Sequence, residues 1–310
     1  MKVVSYDKVI PAKNTNKEKN AIIEKFVQGV RKSGRDIGIV NNTFQYEECD
    51  VAVIQGWQHA VGKNAPHLKL RQEIIDTQLN TNRKVIVADS NLFLYANPSN
   101  APHHYLRYSI NGVFPTTGEY CDDVIDTKRW DIIRRDCNIN VKPMVKKGRH
   151  ILLCCQRNGG WSMGGYDVVA WIINTITQIR QHSDRPIVIR AHPGDKKAVR
   201  YMDRNLFRRM PGVTLSAFDR PLHQDLHKCW AVVNHNSSSI VGPIIQGYHS
   251  FITDPKKSQC ADVSHIEFKH IENPLKFDRQ AWLRRISMFH WKFTELEDGT
   301  CWNHMRNYCQ

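Results

Sequence analysis

The chain has 310 residues, 41% hydrophobic and 24% charged, enough for two ordinary domains with real cores. Its nine cysteines are an odd number without C-x-x-C spacing, which argues against a disulfide framework and for a reduced, cytoplasmic protein. The chain opens on a strand-like Met1–Ser5 rather than a signal peptide, and no run approaches the ~20 apolar residues of a membrane span. The formal net charge is +14, which residues 1–147 share with the remainder as +6 (22 basic, 16 acidic) and +8 (22 basic, 14 acidic). The excess is no basic tail, and it implies an anionic partner: nucleic acid, an anionic membrane surface or a phosphorylated substrate.

In chain order, residues 2–6 read as a strand. Residues 14–33 read as a basic amphipathic helix with Ile22, Ile23, Phe26, Val27 and Val30 on one face and Gly34 as its stop. Strands follow at 36–40 and 50–56, a helix at 66–81, and a buried strand at 84–90 that ends in Asp89 and Ser90. This β-α-β-β-α-β order predicts a mostly parallel sheet with helices on its faces. Residues 91–147 are less regular, with 105–112 as a possible edge strand and the Lys-rich 143–148 as an interdomain linker. The pattern then restarts: strand 149–155, Gly-rich loop 156–165, helix 166–182, strand 186–190, helix 197–209, strand 212–216, helix 221–230, and a strand at 231–233. A helix-like run then closes at Gly247, a strand resumes at 250–254, and a long helix spans 278–294.

Three strand-end loops of this second half carry chemistry. Gln156, Arg157, Asn158 and Gly159 open a loop with four glycines, whose backbone can approach a ligand closely. It matches neither the Walker A pattern nor the dinucleotide fingerprint. Arg190-Ala191-His192-Pro193 ends the next strand, where an Arg fork suits phosphate and Pro193 holds His192 in extended backbone. His235, Asn236, Ser237, Ser238 and Ser239 end another strand at a helix start, where unpaired N–H groups and the dipole favour an anion. Each loop alone also reads as an ordinary turn or cap. Together they predict one anionic ligand, most simply a nucleoside diphosphate. No His/Cys quartet or H-E-x-x-H is present, so no metal ligands are assigned.

As an ordered set, 149–156, 187–193 and 232–247 resemble the GT-B glycosyltransferases, nearest the capsule-polysaccharide and sialyl/Kdo-transferase-like branch. The resemblance covers about a third of the chain. It implies an α/β fold of two Rossmann-like domains with a cleft between them and a C-terminal helix returning to the N-terminal domain. An acceptor domain would span 1–147 plus 278–310, and a donor domain 148–277. Donor phosphates would face His192 and Ser237/Ser238, and Leu215 to Phe218 would border the base. The acidic ribose-binding residue common in the family has no counterpart, since 240–247 hold no carboxylate.

On the acceptor side, Asp89 is the expected general base, with Glu119 and His103/His104 in reserve. Trp57, Gln58, Ser90 and Arg107 are the expected acceptor contacts, although Trp57 could equally plug the core. The reading is a monomeric, nucleotide-sugar-dependent transferase, most simply using a UDP-sugar, with no permanently bound cofactor. Size and charge resemble bacteriophage enzymes that glycosylate hydroxymethylated pyrimidines by base flipping, so double-stranded DNA is the expected acceptor. A surface polysaccharide or lipid-linked glycan is the alternative. A non-catalytic nucleic-acid-binding protein is the reading of a different class.

Overall fold

The computed structural model describes residues 1–10, 17–58, 64–96, 105–202 and 207–310. It divides into two compact units. The first comprises Met1–Leu94, Pro102–Asp136 and Leu283–Gln310; the second comprises Tyr95–Ala101 and Cys137–Trp282. Sequence had set the divisions at 147/148 and 277/278. Residues 137–147 side with the second unit because their backbone is bonded there: Lys142 N–H donates to the Ile245 carbonyl and Val145 N–H to that of Gly247.

The first unit alternates β1 (Lys2–Tyr6), α1 (Lys17–Lys32), β2 (Ile37–Asn41), β3 (Val51–Gln55), α2 (Pro66–Asn80), β4 (Lys84–Asp89), β5 (Tyr105–Ile110) and α3 (Thr127–Asp136). β1 pairs in parallel with β2 and β3, and β3 with β4. Such strands are covered on both faces, and β3 and β4 are accordingly runs of Val, Ile and Ala buried from water. The apolar face of α1 is buried as its spacing predicts, and Phe26 packs against Tyr108 and Trp302.

Three expectations change here. β5 is no edge strand: it runs antiparallel to β4 and is covered on its other side by a strand from the C-terminus. The irregular 91–147 contains α3, whose Trp130 and Ile133 are buried. The long helix 278–294 is in fact α8 (Arg279–Ser287), within which the two units divide, and then β11 (His290–Lys292), α9 (Phe293–Glu297) and α10 (Thr300–Met305). The C-terminal residues thus belong to the first unit, as a strand and two short helices. The sheet order is β11-β5-β4-β3-β1-β2.

The second unit builds β6 (His150–Cys154), α4 (Val168–Arg180), β7 (Ile187–Arg190), α5 (Ala198–Met202), β8 (Val213–Leu215), α6 (Leu222–Asp225), β9 (Cys229–Asn234), α7 (Val241–Ile245) and β10 (His249–Ile252). All pairings are parallel, in the order β10-β9-β6-β7-β8. Asp167 caps α4, accepting from the Val169 and Ala170 N–H groups at 2.9 Å each. The helix lays Val168, Trp171, Ile172, Ile176 and Ile179 on the sheet.

Several helices are shorter than their sequence spans. The 221–230 run is the four-residue α6, capped by Leu226, and Lys228 at φ 60° turns the chain so that β9 begins at Cys229. The 237–247 run is a 3-10 turn, Ser238–Ile240, followed by five residues of α7 that contain Gly242 and Pro243, both poor helix interior residues. Within 197–209, α5 and a 3-10 turn at Phe207–Arg209 are described.

Candidate functional site

In an open parallel sheet, ligands gather outside the carboxyl ends of the strands where the strand order reverses. In the second unit the chain goes from β6 outward to β7 and β8, then returns to β9 on the other side of β6. The reversal therefore lies between β6 and β9, whose loops carry two of the three sequence motifs. A buried amide pair ties them together. Gln156 donates through Nε2 to Asn236 Oδ1 at 2.7 Å, and the Asn236 backbone N–H donates back to Gln156 Oε1 at 3.3 Å. Gln156 also donates to Ser162 Oγ at 2.7 Å, while Asn236 Nδ2 donates to the Ser162 carbonyl and to Asp254. These two residues fasten the loop bases; their amides are already spent.

The third loop joins through Asp195. Its carboxylate accepts from Asn158 N–H (2.9 Å), Lys197 N–H (3.1 Å) and Tyr201 Oη (2.6 Å). Burial raises its pKa, but these bonds and Arg157 outweigh that and bring it below the usual range. His192 Nδ1 accepts from Gly194 N–H at 2.9 Å. Burial, and then the neighbouring Arg157, lower the His192 pKa, so the ring is neutral at pH 7 and its Nε2–H remains a donor. A Cβ placed on Gly194 would collide with the Arg157 guanidinium and lie 3.1 Å from His192 Cε1. Arg157, His192 and the Gly194 backbone thus meet at one spot, and Arg157 itself is exposed.

The other expected donor residues fall into distinct places. Ser237 caps the 3-10 turn, accepting from Ser239 N–H at 3.2 Å with its hydroxyl 3.0 Å from that of Ser239. Ser237, Ser238 and Ser239 are half-buried. Asn158 and Gly159 turn the first loop, Gly159 at φ 66°. Phe218 is 40% exposed beyond β8. His235 is held inside the protein: Nδ1 lies 2.7 Å from Thr253 Oγ1, which also takes the Trp171 indole N–H, and Nε2 lies 3.8 Å from Asp254.

Arg190 is not left free for an anion. It donates to Asp225, a carboxylate 1% exposed, at 2.6 Å, and to the Arg220 carbonyl at 2.6 Å. Ser216 and Arg220 share that carboxylate. Sequence reasoning named Arg190 for its strand end but had no view of Asp225, 35 residues on. It also missed Lys257, whose Nζ would lie 3.4 Å from a Cβ on Gly164, which makes it a second cation at this edge.

In the first unit, Asp89 and Arg107 are register partners on β4 and β5 and form an ion pair. Burial raises the Asp89 pKa, but Arg107 and the Ser90 N–H prevail and lower it, the opposite of what a general base at neutral pH needs. Ser90 is exposed. Gln58 donates to Asp76 at 3.2 Å, and the half-buried Trp57 offers its carbonyl to Arg71 at 3.1 Å. Glu119 pairs through its backbone with Ile110, at the end of β5 remote from Arg107 and Asp89. His103 and His104 lie outside the described residues. Among the described residues, no group of three His, Cys, Asp or Glu could hold a metal ion, and no helix is long and apolar enough to cross a membrane.

Two Rossmann-type units, one on a mostly parallel sheet and one on a wholly parallel sheet, with the C-terminal residues returning to the first, make this a GT-B-like fold. No family model matches the chain, and no curated protein matches its sequence. Solved structures do. The beta Kdo 2,4 transferase of Thermosulfurimonas dismutans KpsC is similar with a TM-score of 0.52 at 13% identity, covering 87% of this chain and 89% of that one. The beta Kdo 2,7 transferase of the same protein gives 0.50 at 11% identity, covering 97% and 99%. At such identities the likeness is one of fold, and it meets the fold that the strand-end motifs implied.

Proposed function

We propose that the protein is a glycosyltransferase that moves a sugar from a nucleotide-sugar to a hydroxyl of a surface polysaccharide or related glycan. The observation that carries this reading is the convergence of Arg157, the neutral His192 and the Gly194 turn beside the β6/β9 reversal. Such a constellation can take the charge that develops on a departing phosphate, from groups already in place. The Ser237–Ser239 turn adds hydroxyls and backbone N–H groups to the same edge. The first unit would then take the acceptor. DNA as acceptor rests on size, charge and general fold, and an acidic glycan or an anionic membrane surface explains the charge equally well.

The test is thermal stabilisation by a panel of UDP, GDP and CMP, repeated with Arg157→Ala. One nucleotide should raise the midpoint in the parent chain and leave the variant unmoved. If none of the nucleotides stabilises the parent while duplex DNA does, the transferase reading fails.

A further inference from the structure

The first unit has its own reversal of strand order. The chain steps from β1 to β2, then returns to β3 on the other side of β1. The carboxyl ends there are the segment after Tyr6 and the Gly56-Trp57 turn. One side chain bridges them: Arg71, from α2, donates through Nη2 to the Val9 carbonyl at 2.7 Å and through Nη1 to the Trp57 carbonyl at 3.1 Å.

Arg71 is 7% exposed, and among the described residues it makes no ion pair and its buried Nε–H has no hydrogen-bond partner. Asp89, the carboxylate whose charge acts on it, is engaged by Arg107. Desolvation, opposed only in part by Asp89, brings the Arg71 pKa down to about 10, so the group is still charged at neutral pH. A buried charge without a counter-charge is costly, and proteins pair such charges. The surroundings do not offset it. His67, one turn earlier on α2, feels Arg71 as a like charge, and the first turn of α2 has no acidic residue. Arg71 and Arg107 against Asp89 leave this edge one positive charge in excess. Gly56, at φ 76°, leaves room for the guanidinium beside its own backbone: a Cβ there would lie 3.3 Å from Nη1 and 3.4 Å from Cζ.

We infer that Arg71 is an anion-recognition residue at the first unit's strand-order reversal, taking a small terminal oxyanion, a carboxylate or phosphate monoester, on the acceptor. A planar fork with a free Nε–H suits that two-oxygen geometry. A backbone phosphodiester, bulky on both sides, does not fit a side chain this deep. The placement on the acceptor rests on the transferase reading; the anion site itself does not.

The experiment follows the Arg71 Nε–H signal by NMR in the isotopically labelled full chain, assigned through the backbone. Sodium acetate, inorganic phosphate and chloride are titrated at matched ionic strength. The signal should move saturably with acetate or with phosphate and stay still with chloride, and the tighter of the two oxyanions names the group. Arg71→Lys, read on the Gly56 and Trp57 amides, should weaken that binding roughly tenfold or more. A signal that does not move, or moves equally with chloride, overturns the site; the parent titration decides this even if the variant does not fold. A parallel UDP titration reads Arg157. Response at Arg71 without response at Arg157 would leave the anion site standing and remove the transferase reading.

Discussion

The two sheets, one mostly parallel and one wholly so, end in chemically different edges. Around the β6/β9 reversal the second unit presents neutral groups and cations: an amide pair, an imidazole uncharged at pH 7, the exposed Arg157 and the half-buried Lys257, with the carboxylates of Asp195 and Asp225 taken up by bonds within the unit. The first unit's edge is built from buried charge: Asp89 locked to Arg107, and Arg71 holding two loop carbonyls without a counter-ion. An edge of the first kind can meet a charged group and release it with little rearrangement. One of the second kind holds its own geometry rigidly and discriminates by charge.

The largest expected effect tests whether Arg190 belongs to the fold or to the ligand. Asp225→Ala would strand the Arg190 guanidinium, 13% exposed, without its carboxylate. The expected loss is about 3–5 kcal/mol of unfolding free energy by denaturant titration. The Arg190→Met/Asp225→Leu pair should recover most of it, because an apolar pair replaces a buried ion pair at little cost. A single variant as stable as the parent would return Arg190 to the anion site. Next comes Arg157→Ala, which should lower transfer by about 10²- to 10³-fold, the loss typical of one preorganised electrostatic donor, with the melting point unchanged. Equal turnover in the variant would break the contrast between the two edges.

The second edge was legible in the sequence because each strand there ends in its own polar cluster. Residues 156–159, 190–193 and 235–239 are contiguous, so a strand-then-turn reading brings them to one edge. What the reading lacked were the long-range partners that decide which members are free. Arg190 and His192 looked alike at their strand end; Asp225 separates them. Arg71 was invisible for another reason. It sits inside an amphipathic helix, where a lone arginine reads as a solvated face, and only the fold shows that Gly56 and the Val9 carbonyl surround it. At the C-terminus, Trp282, Leu283 and Ile286 fit a helical period, and Phe289 and Trp291 alternate as a strand would. Read together they extended one helix across the bend where β11 begins.

The first edge also makes a pH prediction. His290 on β11 is fully buried, its Nδ1–H facing the Ile286 carbonyl and its Nε2 accepting the Leu92 N–H, three residues beyond Asp89. Burial lowers its pKa to about 3, with Arg107 and Arg129 adding to that effect against the Ile286 bond. The folded state therefore binds fewer protons than the unfolded chain, where the value is about 6.5. Stability is complete above that value and falls as the pH drops from it toward 3. By pH 5 the loss from this one group is about 2 kcal/mol. Chemical denaturation at pH 8 and pH 5 measures it, and His290→Gln should flatten the slope. An unchanged slope would mean that the ring takes up a proton without unfolding.

The smallest effect probes the fastening of the second edge. Asn236→Ala removes the acceptor of one Gln156 N–H and the donor to both the Ser162 carbonyl and Asp254. Little is left stranded. Gln156 still donates to Ser162, its Oε1 still accepts the backbone N–H of residue 236, Asp254 still faces His235, and the half-buried Ser162 carbonyl can turn to water. The expected cost is therefore about 1 kcal/mol, since the groups that lose the Asn236 side chain keep other partners or meet water and no buried amide is orphaned. Nucleotide affinity should fall with it, since the loop carrying Arg157 loses one tie to the β9 loop. A stability loss without any change in affinity would show that the Asp195 contacts alone hold Arg157 and His192 in place. A loss well above 1 kcal/mol would show that the amide pair and its Ser162 bonds act as one cooperative unit.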